Sequence, residues 1–263
     1  MNPFWSRIAV AVVGLPLVLG LVYLGGWWLA LLVLAAALLA LHEFYSMTRP
    51  LRPLVIAGYL AAVLTVVGAR LGGVEWMVGG FVAVFVVGFV LFTVAETRAP
   101  ATVAMSSTVL GAAWVALGLG YLVLLRQIPT HGTLAAFTVL LAVWAGDTAA
   151  YFAGRLVGRH RLAPTLSPGK TWEGLVVGSA LTIFVAFIAL YEQEFLTIGE
   201  SIVLGVAIAI AAPLGDLFES ALKRDMQVKD TGRLLAGHGG VLDRIDALLF
   251  AAAASYYVIR AFQ

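Results

Sequence analysis

Nine apolar runs, each near the length of one bilayer crossing, divide this chain and leave it few ways to fold. They fall at roughly 7–24, 27–42, 54–70, 76–95, 102–125, 133–153, 171–191, 201–219 and 245–262. A hydrocarbon core about 30 Å thick takes roughly 20 apolar residues per helix, and backbone polar groups in lipid must be satisfied inside the segment that carries them. With 62% hydrophobic residues, 11% charged residues and a mean hydropathy of +1.01, the 263-residue chain has more apolar surface than a water-soluble core could bury. The expected fold class is all-α: a polytopic integral membrane protein of about nine transmembrane helices.

Nine crossings also sort the charges. One side of the membrane receives Arg7, Arg49, Arg52, Arg98, Arg155, Arg159, Arg161, Lys170, Lys223, Arg224, Lys229, Arg233 and Arg244, which is 13 of the 16 basic residues; the other receives Arg70, Arg126 and Arg260. The positive-inside rule then places the N-terminus and the long charged loops in the cytoplasm. The segment with Glu192, Glu194 and Glu200, which has no lysine or arginine, falls on the opposite side. The first run ends in no small-x-small cleavage site and is needed for the charge pattern, so it reads as an uncleaved span.

Polar residues divide the chain unequally. Up to about residue 130 the loops are short and the spans nearly free of charge, which reads as an N-terminal transmembrane scaffold over 1–130. Within it, "LHEFYSM" places His42 and Glu43 at the cytoplasmic end of the second span; it reads as an interfacial helix end, though both groups could approach a site. Residues 131–263 carry two long cytoplasmic segments and acids inside helices, and are expected to form the catalytic region. The absence of cysteine excludes disulfides, thiolate metal sites and cysteine nucleophiles. Nothing in the charge distribution suggests nucleic acid.

Three stretches carry the chemistry. In "VWAGDTAAYFAGRLVGRH", Asp147 lies about two helical turns inside a span, where an ionised carboxylate needs a cavity, a cation or a partner. "SPGKTWEG" contains a Gly-Lys-Thr, but Pro164 stands where a nucleotide P-loop requires glycine, and a membrane span follows. What remains is a tight Ser-Pro-Gly turn that delivers Ser167, Lys170, Thr171 and the N–H groups of a helix start to one place, an arrangement suited to anions. In "AAPLGDLFESALKR", Pro213 and Gly215 should kink or break the helix beside Asp216. Beyond them Asp216, Glu219, Ser220 and Lys223 share one helix face, with Glu219 the natural partner of Lys223.

The most charged stretch then follows, from Ser220 to Asp246: "SALKRDMQVKDTGRLLAGHGGVLDRID". Lys223, Arg224, Lys229 and Arg233 supply positive charge, His238-Gly239-Gly240 a turn that backbone can use to approach a ligand, and Asp243 and Asp246 the first turn of the last span. Carboxylates without cysteines or clustered histidines suit a hard cation, Mg²⁺ above all. Lysines and arginines around them suit a polyphosphate. Together they read as metal-assisted phosphoryl or nucleotidyl transfer onto a lipid, with metal assigned to Asp216 and Asp246 and, as further ligands or supporting groups, Asp243 and Asp147.

At these residues the chain resembles the phosphatidate cytidylyltransferases, or CDP-diacylglycerol synthases. Ser220, Lys223-Arg224, Lys229-Asp230, His238-Gly239-Gly240, Asp243-Arg244 and Asp246 match the family signature at its spacing, and the likeness extends upstream over roughly 140–250. Ala236 departs from the pattern, which has a proline or another small turn residue there. The resemblance implies conversion of CTP and phosphatidate to CDP-diacylglycerol and pyrophosphate, with Mg²⁺ and a monovalent cation such as K⁺, in a multi-pass protein of the cytoplasmic membrane whose site faces the cytoplasm. It also implies a homodimer. Lys170, Lys223, Arg224, Lys229 and Arg244 would then neutralise phosphates, with Ser167, Thr171, Ser220, Asp230, His238, Gly239 and Gly240 completing the substrate site. Asp216, Asp246, Lys223 and Lys170 are the expected catalytic groups. A CTP-dependent lipid kinase, a transporter and a non-catalytic scaffold are the alternatives.

Overall fold

A computed structural model describes residues 3–94, 100–232 and 239–263, with side chains from residue 12 onward. Arg98, Arg233, Ala236 and His238 lie outside the described residues, as does the side chain of Arg7. The chain forms two compact units, residues 1–127 with 226–245 and residues 128–225 with 246–263. Residues 226–245 thus group with the first unit.

The first unit is helical. It contains α1 (Pro3–Leu24), α2 (Gly26–Met47), α3 (Val55–Val94), α4 (Ala101–Gly111) and α5 (Gly118–Arg126), with a π-helical stretch Ala112–Leu117 joining the last two. Two reversals depend on glycine. Gly25 and Gly26 take positive φ between α1 and α2, and the free carbonyls of Val22 and Tyr23 accept hydrogen bonds from the Arg126 guanidinium at 2.9 and 2.8 Å. Gly72 and Gly73 leave helical geometry inside α3. Its arms then pack so closely that a methyl group at Gly68 would lie 2.6 Å from the Trp76 carbonyl carbon, and one at Gly80 2.7 Å from the Thr65 nitrogen. The apolar runs at 54–70 and 76–95 correspond to these arms. Phe44 anchors the interior, with edge-on rings from Tyr45 at 5.6 Å and Trp114 at 6.1 Å.

The second unit holds α6 (Gly132–Leu156), strands β1 (Arg161–Ala163) and β2 (Ser167–Thr171), α7 (Trp172–Leu190), α8 (Ile198–Asp225) and most of α9 (Leu242–Ala261). Helices α6 and α7 meet along small residues. A methyl group at Gly146 would collide with the Thr182 hydroxyl, one at Gly178 would sit 2.8 Å from both the Ala150 side chain and the Gly146 carbonyl, and one at Gly174 2.7 Å from the Ala150 carbonyl. Gly146 and Ala150 on one helix and Gly174, Gly178 and Thr182 on the other recur every four residues, so backbones replace side chains along the seam. Tyr151, Phe152, Val176, Phe184 and Ile210 stay exposed, an apolar surface suited to lipid.

That seam gives a stability prediction. Gly178→Leu is expected to destabilise the protein by about 1–3 kcal/mol through overpacking, read as a lower midpoint of thermal unfolding in detergent. Gly79→Ala, where a methyl group meets nothing within 4 Å, should be neutral or mildly stabilising because alanine favours the helix.

Two local expectations are corrected. The Ser-Pro-Gly stretch is not a tight turn: it runs as the edge strand β2, paired antiparallel with β1, and the chain reverses earlier at Pro164-Thr165-Leu166. A two-stranded ribbon has only edges, so Pro168 interrupts no interior ladder. Nor does Pro213 break α8, which stays helical from Ile198 to Asp225. Gly215 serves packing instead: a methyl group there would lie 2.5 Å from the Asp246 carbonyl oxygen.

Among the described residues, six helices are long and apolar enough to cross a membrane: α2, α3, the α4–α5 rod, α6, α7 and α8. The chain is thus an all-α polytopic membrane protein with one short β-ribbon.

Candidate active site

The polar centre of the second unit is assembled from the ribbon, α6, α8 and α9. Strand β2 ends where α7 begins, and Thr171 is the cap: its Oγ1 accepts the Gly174 N–H at 3.1 Å. The helix start is held further by the Trp172 N–H, which donates to the His160 carbonyl at 3.0 Å, and by Glu173, whose Oε1 lies 2.6 Å from His160 Nδ1. On the other side of the ribbon, Arg224 Nε donates to the Leu166 carbonyl at 3.2 Å. Fixed at both ends, the ribbon presents Lys170 to α8, where its Nζ lies 2.8 Å from Asp216 Oδ2.

Close approach of α8 at Gly215 sets Asp216 beside Asp246. Asp216, Glu219 and Asp246 each offer one carboxylate oxygen, all within 4.8 Å of one another. Glu219 is 1% exposed and Asp246 8%. Lys223 Nζ lies 2.7 Å from Glu219 Oε2, and Asp147 on α6 is within electrostatic reach of Asp216 and Lys170. Among the described residues, two lysines thus face four carboxylates, of which Glu219 and Asp246 are buried, Asp216 is partly exposed and Asp147 is exposed. A divalent cation with oxygen ligands fits that donor set.

The remaining expected residues stand as follows. Ser167 lies in β2, and Ser220 is buried on α8 next to Glu219. In the first unit, Lys229, Asp230 and Arg244 are exposed, while Gly239 has positive φ and Gly240 is buried. Asp243, expected among the metal groups, has Oδ2 turned to its own loop, accepting the Gly240 N–H at 2.8 Å and the Thr231 N–H at 3.3 Å. Thr171, expected to touch substrate, has its hydroxyl engaged as the cap.

Glu219 is the acid that sequence reasoning undervalued. Its i,i+4 spacing to Lys223 suggested a plain ion pair, and that pair exists. The shared face with Asp216 was legible from the i,i+3 spacing; what spacing alone does not give is that this face meets Asp246, which brings Glu219 into the acid cluster.

This chemistry has known counterparts. The sequence profile of the cytidylyltransferase family matches residues 5–262, so the chain belongs to that family. A phosphatidate cytidylyltransferase of Mycobacterium bovis is 36% identical over 275 residues, covering 96% of this chain and 88% of the relative. One from Staphylococcus haemolyticus is 32% identical over 249 residues, covering 93% and 94%. One from Haemophilus influenzae is 45% identical over 125 residues, covering 46% and 43%.

Proposed function

We propose that this protein is a phosphatidate cytidylyltransferase that joins CTP and phosphatidate to give CDP-diacylglycerol and pyrophosphate in phospholipid synthesis. The observation that carries the reading is the Lys170–Asp216 pair beside Glu219 and Asp246, inside a chain similar to named phosphatidate cytidylyltransferases over more than nine-tenths of its length. A phosphatidate oxygen attacks the α-phosphorus of CTP; the bond from that phosphorus to the β-phosphate oxygen breaks, and pyrophosphate leaves with the electron pair. The attacking oxygen is already anionic, so the residues have to gather and neutralise charge rather than remove a proton.

In this reading Asp216, Glu219 and Asp246 would hold Mg²⁺, with Asp147 in support. The ion supplies charge neutralisation for the triphosphate and its leaving group. Lys170 shifts from Asp216 to a phosphate as the nucleotide arrives, and Lys223, held by Glu219, adds a second cation. Arg224 steadies the ribbon with one N–H and keeps others for phosphate. Lys229, Asp230, Arg244, Ser220, His238, Gly239 and Gly240 are carried over as nucleotide contacts from the family resemblance, while Asp243 holds the Gly240 and Thr231 N–H groups.

The protein would cross the cytoplasmic membrane nine times, with its N-terminus and site on the cytoplasmic side. The 13-to-3 division of basic residues supports this topology, as do α2, the α4–α5 rod, α6, α7 and α8 together with the two arms of α3 and with α1 and α9. A bound monovalent cation and a homodimer are carried over from the family resemblance.

The direct test uses purified protein with phosphatidate, Mg²⁺ and CTP labelled at the α-phosphate. Label is expected in the lipid phase as CDP-diacylglycerol, and chelation of Mg²⁺ should abolish it. Label appearing in lipid only from γ-labelled CTP would instead identify a lipid kinase.

A further inference from the structure

Glu43 is a carboxylate buried at the end of a membrane helix, 2% exposed and unused by the chemistry above. Its partners explain the burial. Oε1 accepts the Val241 N–H at 3.0 Å and Oε2 the Leu242 N–H at 2.9 Å, with the Thr231 hydroxyl 3.5 Å from Oε2. Val241 and Leu242 lie at the start of α9, where backbone N–H groups have no intrahelical partner and the helix dipole favours negative charge.

The surrounding loop is cut to fit this carboxylate. A methyl group at Gly232 would sit 2.5 Å from Oε1, and the three nearest atoms all belong to Glu43; one at Gly240 would sit 2.5 Å from Oε2. Asp243 draws the same ends together through the Thr231 and Gly240 N–H groups. Two carboxylates thus close the neck of one loop, Thr231-Gly232 on one side and Gly240 to Leu242 on the other. Lys229 and Asp230 immediately precede that neck, and Arg244 immediately follows it.

We propose that Glu43 is a positioning residue for the reaction: it clamps the loop neck and the first turn of α9, and thereby places Lys229 and Arg244 for the nucleotide's phosphates. This rests on the cytidylyltransferase reading. A carboxylate can accept from two adjacent N–H groups at once, whereas the amide of Glu43→Gln turns an NH₂ toward one of those donors. Leaving buried donors unsatisfied loosens the neck.

The experiment is a cycle of Glu43→Gln, Glu43→Ala and Gly232→Ala, assayed per folded molecule with CTP and phosphatidate varied separately. Glu43→Gln is expected to raise KM for CTP roughly tenfold or more, as loss of a supporting partner typically does, with KM for phosphatidate within about twofold. Gly232→Ala should do the same in the wild-type and Glu43→Gln backgrounds, because its methyl group meets the side chain at residue 43. In the Glu43→Ala background that methyl group has room, and Gly232→Ala should add nothing. Amide exchange at Val241 and Leu242 in detergent, which needs no turnover, should accelerate in Glu43→Gln.

An unchanged KM for CTP with unchanged exchange at those amides would overturn the clamp. So would an equal Gly232→Ala penalty with and without the Glu43 side chain, or losses that merely follow the amount of folded protein. Failure of the wild-type protein to transfer cytidylyl would refute the activity instead, and amide exchange would still decide whether the clamp exists.

Discussion

Asp216→Asn is expected to lower cytidylyl transfer by about 10²–10³-fold, the scale on which removal of one preorganised electrostatic group acts. Asparagine preserves the shape of the side chain and its carbonyl oxygen, so the close contact at Gly215 should survive. What disappears is one negative charge in a cluster of three acids within 4.8 Å. Two consequences can be separated by titrating Mg²⁺. If Asp216 holds the ion, the variant needs more Mg²⁺ for half-maximal rate, and its residual rate rises as the ion is added. Full activity with an unchanged Mg²⁺ dependence would remove Asp216 from the ligand set. Asp246→Asn should behave alike, since its carboxyl lies in the same cluster at 8% exposure.

Lys170→Met should produce the second large loss, again about 10²-fold or more in kcat/KM for CTP. Methionine keeps the aliphatic length and removes the charge that lies 2.8 Å from Asp216. The double variant Lys170→Met/Asp216→Asn discriminates between roles. Were the pair only a structural ion pair, removing both charges would relieve the carboxylate left without its partner among like charges and restore much of the activity. Since both groups are expected to meet substrate or metal, the double variant should stay as inactive as the weaker single one. Kinetics with saturating phosphatidate and varied CTP make the comparison.

Much of this arrangement was legible because membrane sequence is sparse in charge. Asp147, Lys170, Asp216 and Asp246 stand out in an apolar chain, and lipid penalises charges without a purpose. Spacing along a helix also placed Asp216, Glu219 and Lys223 on one face. Less legible was anything decided by contact between distant segments. Nothing local marks Glu43 as the partner of Val241 and Leu242, which follow it by 198 and 199 residues. Pro213 and Gly215 have the composition of a kink or break; the helix does not break there, and Gly215 makes room for the Asp246 backbone. The Ser-Pro-Gly stretch had turn composition, but pairing with Arg161–Ala163 drew it into a ribbon. Thr171 was recognisable as a polar group near a helix start; its service as the cap depended on where that helix begins.

The glycine seam between α6 and α7 bears on how a two-tailed lipid reaches the acids. Along that seam there is no room for even one added carbon at Gly146, Gly174 or Gly178. A gap too narrow for a methyl group is a wall to an acyl chain. An acyl chain therefore finds no passage between α6 and α7, and this pair of helices forms a fixed wall of the second unit.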